Sequence, residues 1–204
     1  MKRYLLITFF LSLSTLLSAQ NWDINLLRDI NLKRDKQADN FFKATSNSMK
    51  YVCFSTPVII TGIGLLTRND ITLDKGLVTG AALAISGTIS IIMKYGINRT
   101  RPFVKYPDLE NLTAPSDPSF PSGHTSAAFA TATALSLAYP KWYVIVPAYS
   151  WAGLVGYSRM DMGVHYPSDV LGGIITGMGS AYLSWKINKW FTKKYWPSAY
   201  EQHK

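Results

Sequence analysis

Long stretches without acidic or basic side chains alternate with short polar joints along most of this chain. Five such stretches contain no Asp, Glu, Lys or Arg, and they cover residues 51–67, 76–93, 118–140, 142–158 and 170–185. Each is close to the ~17–25 residues that a helix needs to cross a bilayer. A helix on the surface of a soluble protein carries a charged face, which these stretches lack. The pattern therefore predicts an all-α fold, a transmembrane bundle of five helices.

Aromatic residues collect near the ends of the five stretches, as in the interfacial belts of membrane proteins. They are Tyr51, Tyr95, Tyr139, Trp142, Tyr157, Tyr166, Trp185 and Trp190. A mean hydropathy of only +0.05 favours the alternative of a soluble helical core. Polar segments before residue 51, between residues 94 and 120 and at the C-terminal end lower that average, so the membrane bundle remains the better interpretation.

The first 19 residues have the composition of an export signal. Lys2 and Arg3 precede an uncharged, mainly apolar core, and Ser18 and Ala19 offer small residues for cleavage. Because a leucine stands three residues before that point, the segment could instead be retained as an anchor. We therefore expect residues 1–19 to be a signal peptide or a signal anchor, and residue 20 to lie on the outer side of the membrane.

Residues 20–50 carry mixed charges and are predicted to form an extracytoplasmic amphipathic helix. Ile24, Leu27 and Ile30 recur at a spacing of three, and Trp22 and the pair at positions 41 and 42 add aromatic side chains. Such a helix can lie on a membrane surface. It can equally pack on its own domain, and the sequence leaves both alternatives open.

The basic residues follow the alternation of the helices. The chain has a formal net charge of +9. If residues 20–50 lie outside, Arg68, Lys75 and Lys141 lie inside together with the tail lysines, as the positive-inside rule requires. We expect a helical bundle over residues 51–187 and a basic cytoplasmic tail over 188–204. This placement explains part of the charge without a nucleic-acid partner, and no nucleic-acid-binding motif is present.

Three polar joints would share the outer side. The first is KYGINRTRP, residues 94–102. Lys94 and Arg101 are seven residues apart, so a continuous helix would place them on one face with Asn98 between them. Pro102 is expected to end that helix at Arg101. Two cations on one face suit an anionic group, although snorkelling toward lipid headgroups would explain this joint alone equally well.

The second joint, FPSGHTS, opens at residue 120. Ser122 is a good N-cap for the apolar helix that follows. Gly123 would let a ligand approach the backbone, and the free N–H groups of the first turn would bind an anion. His124 lies beside them. Taken alone, this joint is an ordinary helix start.

The third joint is SRMDMGVHYPSD, residues 158–169. Pro167 suits the first position of a helix, which places Asp169 in its first turn. The spacing of four lets Asp169 reach one nitrogen of His165 and direct the other outward. Arg159 adds a third cation, and Asp161 is expected to be a solvated or structural charge.

Together the three joints resemble the signature of the type 2 phosphatidic acid phosphatase superfamily, and every signature position matches. The matching residues are Lys94, Arg101 and Pro102, then Pro121, Ser122, Gly123 and His124, then Ser158, Arg159, His165 and Asp169. The resemblance covers about residues 51–187. The same signature occurs in bacterial class A acid phosphatases and in vanadium haloperoxidases. The haloperoxidases are soluble and longer, so we do not transfer their activity to this chain.

The resemblance implies a role for each of these residues. His165 would attack phosphorus and form a phosphohistidine, Asp169 would orient His165, and His124 would protonate the leaving group and then activate water. The phosphoryl oxygens would be held by Lys94, Arg101, Ser122, Gly123 and Arg159. No cofactor is implied. The alternative is that the two histidines and Asp169 bind a metal ion, which the positive charge of the three cations would oppose.

The implied function is hydrolysis of phosphate from a membrane lipid phosphate or diphosphate. Phosphatidic acid, phosphatidylglycerophosphate, undecaprenyl diphosphate and lipid A are the candidate substrates. We expect a multi-pass protein of the bacterial inner membrane whose active site faces the periplasm. The alternatives are a soluble periplasmic acid phosphatase with the same site and a non-catalytic membrane scaffold. The spacing of the motifs specifies neither the oligomeric state nor which of these lipids is the substrate.

Overall fold

A computed structural model of the chain describes residues 21–195, and every regular element in this range is helical. The elements are α1 (residues 21–31), α2 (Asp39–Thr67), α3 (Asp70–Ile97), α4 (Pro102–Lys105), α5 (Gly123–Ala138), α6 (Trp142–Asp161) and α7 (Pro167–Tyr195). A 3-10 turn, Lys36–Ala38, leads into α2. The predicted signal or anchor at residues 1–19 and residues 196–204 of the predicted tail lie outside the described residues.

The five charge-free stretches form α2, α3, α5, α6 and α7, so the predicted helical bundle is confirmed. Helix α5 lies at its centre and packs against α3, α6 and α7, while α2 packs mainly against α3 and α6. Residues 118–122 carry no charge but precede α5. Ser122 is the N-cap of this helix and accepts a hydrogen bond from the Thr125 N–H, which sets the start of the helix at Gly123.

Helix α5 can occupy the centre because its side chains are small. Ala128, Ala130 and Ala132 are completely buried. On α7, Gly173 and Gly177 lie so close to α5 and its N-cap that a Cβ at either position would be 2.7 Å or less from a backbone oxygen, of Ser122 or of Ser126. Small residues allow backbones to approach in this way. The contact brings the first turn of α7 against the first turn of α5.

The outer surface of the bundle is strongly apolar. Phe54, Leu66, Ile92, Trp142 and Ile175 are all more than half exposed. Exposed apolar patches of this kind mark surfaces that contact membranes or other proteins. Two of the described helical stretches, Lys36–Thr67 and Asp70–Lys105, are long and apolar enough to cross a membrane by length and composition. Helix α5 is shorter than these two stretches, since its 16 residues span about 24 Å.

Helix α1 packs over the end of the bundle that carries the polar joints. Ile24 and Leu27 are buried against Leu109 and Tyr166. This packing follows the second alternative considered for residues 20–50, a helix packed on its own domain. Trp22 remains exposed. Residues 39–50 are the first turns of α2 and continue without a break into the predicted apolar stretch.

Helix α7 continues past the predicted start of the tail and includes residues 188–195. Along its last turns each of three lysines lies over an aromatic ring four residues earlier. The pairs are Lys186 on Tyr182, Lys189 on Trp185 and Lys194 on Trp190, at 4.9–5.0 Å from ring centroid to ammonium. Such i,i+4 cation–π contacts stabilise the helix in the first part of the predicted basic tail.

Candidate active site

The three polar joints meet at one end of the bundle. The joint after α3 contributes Arg101, whose guanidinium Nη1 lies 3.1 Å from Nε2 of His165 in the joint between α6 and α7. The joint before α5 is tied to α7 because the Ser122 N–H donates to the Asp169 carbonyl at 3.0 Å. Residues that are far apart along the chain, 64 positions in the case of Arg101 and His165, are thereby brought to one site, as a single active site built from all three joints requires.

His165 is buried and held from both sides of its ring. Nδ1 lies 3.4 Å from Oδ2 of Asp169, and Nε2 faces Nη1 of Arg101. Because a guanidinium can only donate, Nε2 must accept and the ring proton must lie on Nδ1. This tautomer leaves the Nε2 lone pair directed toward a cation. A neutral imidazole with that arrangement can act as a nucleophile toward an anion bound at the cation.

The carboxylate of Asp169 is completely buried and fully hydrogen-bonded. Oδ2 accepts from the Tyr166 N–H at 2.9 Å and from the Ser119 hydroxyl, and Oδ1 accepts from Nη1 of Arg99 at 2.6 Å. Asp169 lies in the first turn of α7, as the position of Pro167 predicts. So many donors fix the carboxylate in one orientation and keep it ionised beside His165.

Burial controls the charge of His165. It lowers the pKa of this ring to about 4, against the opposing effect of Asp169. Arg101 and Arg159 lower the pKa further. The ring is therefore neutral at physiological pH, which is the state that a nucleophile needs.

Lys94 and Arg101 converge on one carboxylate. Asp117 places Oδ2 at 2.8 Å from Nζ of Lys94 and Oδ1 at 2.8 Å from Nη2 of Arg101. Lys94 also donates to the Pro118 carbonyl, and Nε of Arg101 donates to the Asp117 carbonyl at 2.7 Å. Burial alone would raise the pKa of Asp117, but the two cations outweigh it and lower the pKa to about 2. An anion that approaches the two cations competes with this carboxylate.

Arg159 supplies a third cation in the same region. Its side chain is buried, and Nη1 donates to the Ser46 hydroxyl at 2.6 Å. Within residues 21–195 its Nε is buried without a hydrogen-bond partner. A buried charged donor without a partner is costly, and an anionic ligand would satisfy it.

The start of α5 completes the cationic region. A Cβ on Gly123 would lie 3.9 Å from Cε of Lys94, so the backbone at this position is next to the lysine. The Ser122 hydroxyl accepts from Thr125, which leaves its own hydrogen available to an anion. His124 is half-buried and lies within electrostatic reach of Arg159, His165, Lys50 and Arg101.

Known proteins show the same sequence pattern and the same fold. The model of the PAP2 superfamily matches residues 75–193, which is more than half of the chain. The chain belongs to the PAP2 superfamily. The crystal structure of a transmembrane PAP2-type phosphatidylglycerolphosphate phosphatase from Bacillus subtilis is similar, with 26% identity and a TM-score of 0.71. The match covers 90% of this chain and 94% of that one.

Two curated relatives extend the comparison. An undecaprenyl-diphosphatase of Sulfolobus acidocaldarius is 38% identical over 53% of this chain and 54% of its own length. A lipid A 1-phosphatase of Porphyromonas gingivalis is 31% identical over 85% of this chain and 37% of its own length. The chain thus spans about half or less of the length of these relatives. The similar phosphatase from Bacillus subtilis is a transmembrane protein, and this chain is an integral membrane protein with the same bundle.

One geometric expectation about the PAP2 site was wrong. Lys94 and Arg101 do not share a helix face, because α3 ends at Ile97 and Arg101 is in an extended conformation. Asn98 ends the helix in the left-handed region, with φ of 48°. Pro102 starts α4 instead of terminating α3. The two cations still meet, because the chain turns back and both contact Asp117.

Asp161 is not the solvated charge that was one of the two expectations for it. It is buried, not solvated, and its Oδ2 has no hydrogen-bond partner within residues 21–195. Its backbone carbonyl accepts from Nδ2 of Asn31 at 2.7 Å. Asp161 therefore belongs to the contact between the α1 segment and the end of α6.

Four residues that contact the site were not predicted from the sequence. They are Asp23, Arg99, Asp117 and Ser119. Arg99 lies inside the first joint, and its charge was the available signal. The other three lie in α1 or in the loop after α4, far along the chain from their partners, and no local pattern distinguishes them from other polar residues.

The donor set at the PAP2 site does not suit a divalent metal ion. His165 and Asp169 are surrounded by Arg99 and Arg101, whose charges oppose a cation. Within residues 21–195 no group of three or more His, Cys, Asp or Glu side chains has the arrangement of a metal site.

Proposed function

We propose that this chain is a membrane phosphatase that hydrolyses phosphate from lipid phosphates or diphosphates through a phosphohistidine at His165. The observation that carries the proposal is the orientation of His165. Asp169 holds Nδ1, and Nε2 faces Arg101 within the group of three buried cations. A phosphoryl group held by those cations would lie directly before the Nε2 lone pair.

In the first step Nε2 of His165 attacks phosphorus, and the bond from phosphorus to the leaving oxygen breaks. His124 gives a proton to that oxygen. In the second step His124 takes a proton from water, the water oxygen attacks phosphorus, and the phosphorus–nitrogen bond breaks to release phosphate. One positioned acid–base group of this kind contributes roughly 10²–10⁴ in rate.

The cations and the start of α5 would stabilise the negative charge of the phosphoryl group. Lys94, Arg101 and Arg159 would bind the phosphoryl oxygens, with the Ser122 hydroxyl and the Gly123 N–H as neutral donors. In phosphoryl transfer, positioning and electrostatic stabilisation supply most of the catalysis. Nε of Arg159 lacks a hydrogen-bond partner in the described part of the chain, which supports this assignment because a phosphoryl oxygen would satisfy it.

A lipid substrate fits the surroundings of the site. The polar joints lie at one end of a bundle whose outer surface is apolar, with Phe54, Ile92 and Ile175 exposed. A lipid could keep its chains in the bilayer and present its headgroup to the cations. Relatives that act on undecaprenyl diphosphate and on lipid A support this class of substrate. The exposed apolar surface disfavours a soluble acid phosphatase.

We place the site on the periplasmic side of a bacterial inner membrane. Lys75 lies over the Tyr139 ring at 4.4 Å, so the turns after α2 and after α5 share one end of the bundle. That end carries Arg68, Lys75 and Lys141, and the positive-inside rule assigns it to the cytoplasm. The polar joints are at the opposite end.

Phosphate release by the purified protein tests the function. Phosphatidic acid, phosphatidylglycerophosphate, undecaprenyl diphosphate and lipid A would be assayed side by side, with His165→Ala as the control. We expect release from at least one lipid and none from the variant. Absence of release from every lipid, or equal release by the variant, would contradict the proposal.

A further inference from the structure

Helix α1 places an acidic residue among the donors at the start of α7. Asp23 is only 4% exposed, although it lies in a segment that precedes the transmembrane bundle. Its Oδ1 accepts from the Ser168 N–H at 2.8 Å, and its Oδ2 accepts from the Ser168 hydroxyl at 2.6 Å. Asp23 therefore caps the first turn of the helix that carries Asp169.

The same carboxylate binds Arg99. Nη2 of Arg99 donates to Oδ2 of Asp23 at 2.7 Å, and Nη1 donates to Oδ1 of Asp169 at 2.6 Å. The guanidinium also lies over the Tyr166 ring at 4.0 Å. One planar group thus bridges two buried carboxylates, a geometry that arginine can adopt and lysine cannot.

This bridge helps to determine which oxygen of Asp169 faces His165. Oδ1 is taken by Arg99, so Oδ2 is the oxygen that lies near Nδ1 of His165. Without Asp23, one side of Arg99 would lose its partner and the first turn of α7 would lose its cap. Arg99 would then hold Oδ1 of Asp169 less firmly, and only the donors to Oδ2, Tyr166 and Ser119, would still align the carboxylate on the nucleophile.

We propose that Asp23 is a positioning residue for the reaction, which acts through Arg99 and Ser168 to keep Asp169 aligned on His165. The inference rests on the proposed function of His165. It makes helix α1 a part of the active site, although this helix lies outside residues 75–193 that match the family.

The test is the kinetics of Asp23→Asn on a lipid phosphate that the wild-type protein hydrolyses. The change keeps the shape of the side chain and removes its charge. We expect kcat to fall roughly 10- to 100-fold, because a misplacement of about 1 Å can cost ~10²-fold. KM and inhibition by vanadate should stay within about twofold, since the change leaves Lys94, Arg101 and Arg159 in place.

Two matched variants separate positioning from anchoring of α1. Asp29→Asn removes an exposed charge on the same helix, whose ion-pair partner within residues 21–195 is Lys33, at 2.6 Å. Asp108→Asn breaks the exposed ion pair with Arg28, at 2.8 Å, that ties the helix to the loop after α4. Both should keep wild-type kcat. Arg99→Lys keeps the charge but not the bridge, and it should lower kcat as Asp23→Asn does.

The outcomes distinguish the two proposals. Wild-type kcat in Asp23→Asn, or the same loss of kcat in Asp108→Asn, would overturn the inference and leave the phosphatase activity established. A parallel loss of kcat, vanadate binding and thermal stability in detergent in both Asp23→Asn and Arg99→Lys would also overturn it, since that pattern indicates a structural role. A wild-type protein without phosphatase activity would contradict the proposed function itself.

Discussion

Nη1 of Arg101 and Nε2 of His165 lie 3.1 Å apart in the buried part of the site. The contact fixes the tautomer of the histidine, because the guanidinium can only donate. It also places a cation at the atom that would attack phosphorus. Arg101 therefore has two effects in the proposed mechanism, since it would bind the phosphoryl group and orient the lone pair that attacks it.

Asp117 should compete with the substrate phosphate for Lys94 and Arg101. We expect Asp117→Asn to strengthen inhibition by inorganic phosphate roughly 2- to 10-fold, because two ion pairs to a partly exposed carboxylate, of up to about 0.5–1 kcal/mol each, would no longer oppose binding. The measurement is the inhibition constant at fixed ionic strength.

The matched control for Asp117 is Glu110→Gln. Glu110 lies in the same loop but pairs with Arg34 and Lys36 instead of the site cations. It should leave phosphate inhibition unchanged. Weaker inhibition in Asp117→Asn would mean that Asp117 assembles the cation pair instead of competing for it.

The acid limb of kcat/KM should lie near pH 4. Turnover needs neutral His165, and burial lowers the pKa of this ring to about 4, whereas an ordinary histidine titrates near ~6.5. The ionisable groups that face it are Asp169, Arg101, Arg159 and His124. A pH–rate profile of the wild-type protein measures the limb. A limb near pH 6.5 would show that the ring is not buried as described.

The lowered pKa of His165 should also make the stability of the fold depend on pH. The unfolded chain binds a proton at position 165 below about pH 6.5, whereas the folded chain does so only near pH 4. The free energy of unfolding should therefore fall as the pH is lowered through this interval. His165→Gln should remove that part of the pH dependence, which thermal unfolding in detergent at pH 7 and pH 5 can measure.

Activity should not require an added metal ion. Lys94, Arg101 and Arg159 already supply the positive field that phosphoryl transfer needs. EDTA should leave turnover unchanged, and vanadate should inhibit it by binding to the same cations. Loss of activity in EDTA that one divalent ion restores would favour the metal-site alternative.

The polar joints should be accessible from outside the cell. In a Cys53→Ala background, Ala114→Cys lies on the exposed loop after α4, and Pro140→Cys lies on the exposed turn between α5 and α6. A membrane-impermeant thiol reagent should label the first in intact cells and the second only after lysis. The reverse pattern would place the reaction at the cytoplasmic leaflet.

The bundle could be predicted because its signals are local. Absence of charge over a whole stretch marks a helix that faces lipid or the core, and Ser122 and Pro167 mark two helix starts that the structure confirms. The contact between His165 and Asp169 follows from their spacing on the start of α7. Each of these inferences depends on residues within one or two helical turns.

The network behind the site could not be predicted in the same way. Asp23 and Arg99 are 76 positions apart, and their contact depends on how α1 packs over the end of the bundle. The contact of Asp117 with Lys94 depends on the path of the loop after α4. Helix α3 ends early because Asn98 adopts a left-handed backbone conformation. The seven-residue spacing of Lys94 and Arg101 indicated a continuous helix instead.

The most direct test of the account is to trap the phosphorylated enzyme. His124→Ala removes the proposed acid and base, so with an aryl phosphate that has a good leaving group it should form the intermediate and hydrolyse it ~10²–10⁴ times more slowly. Rapid quenching in alkali followed by mass spectrometry should find phosphate on His165, and the linkage should be labile in acid. His165→Ala should acquire none. An acid-labile phosphoenzyme in His165→Ala would contradict the assignment of the nucleophile.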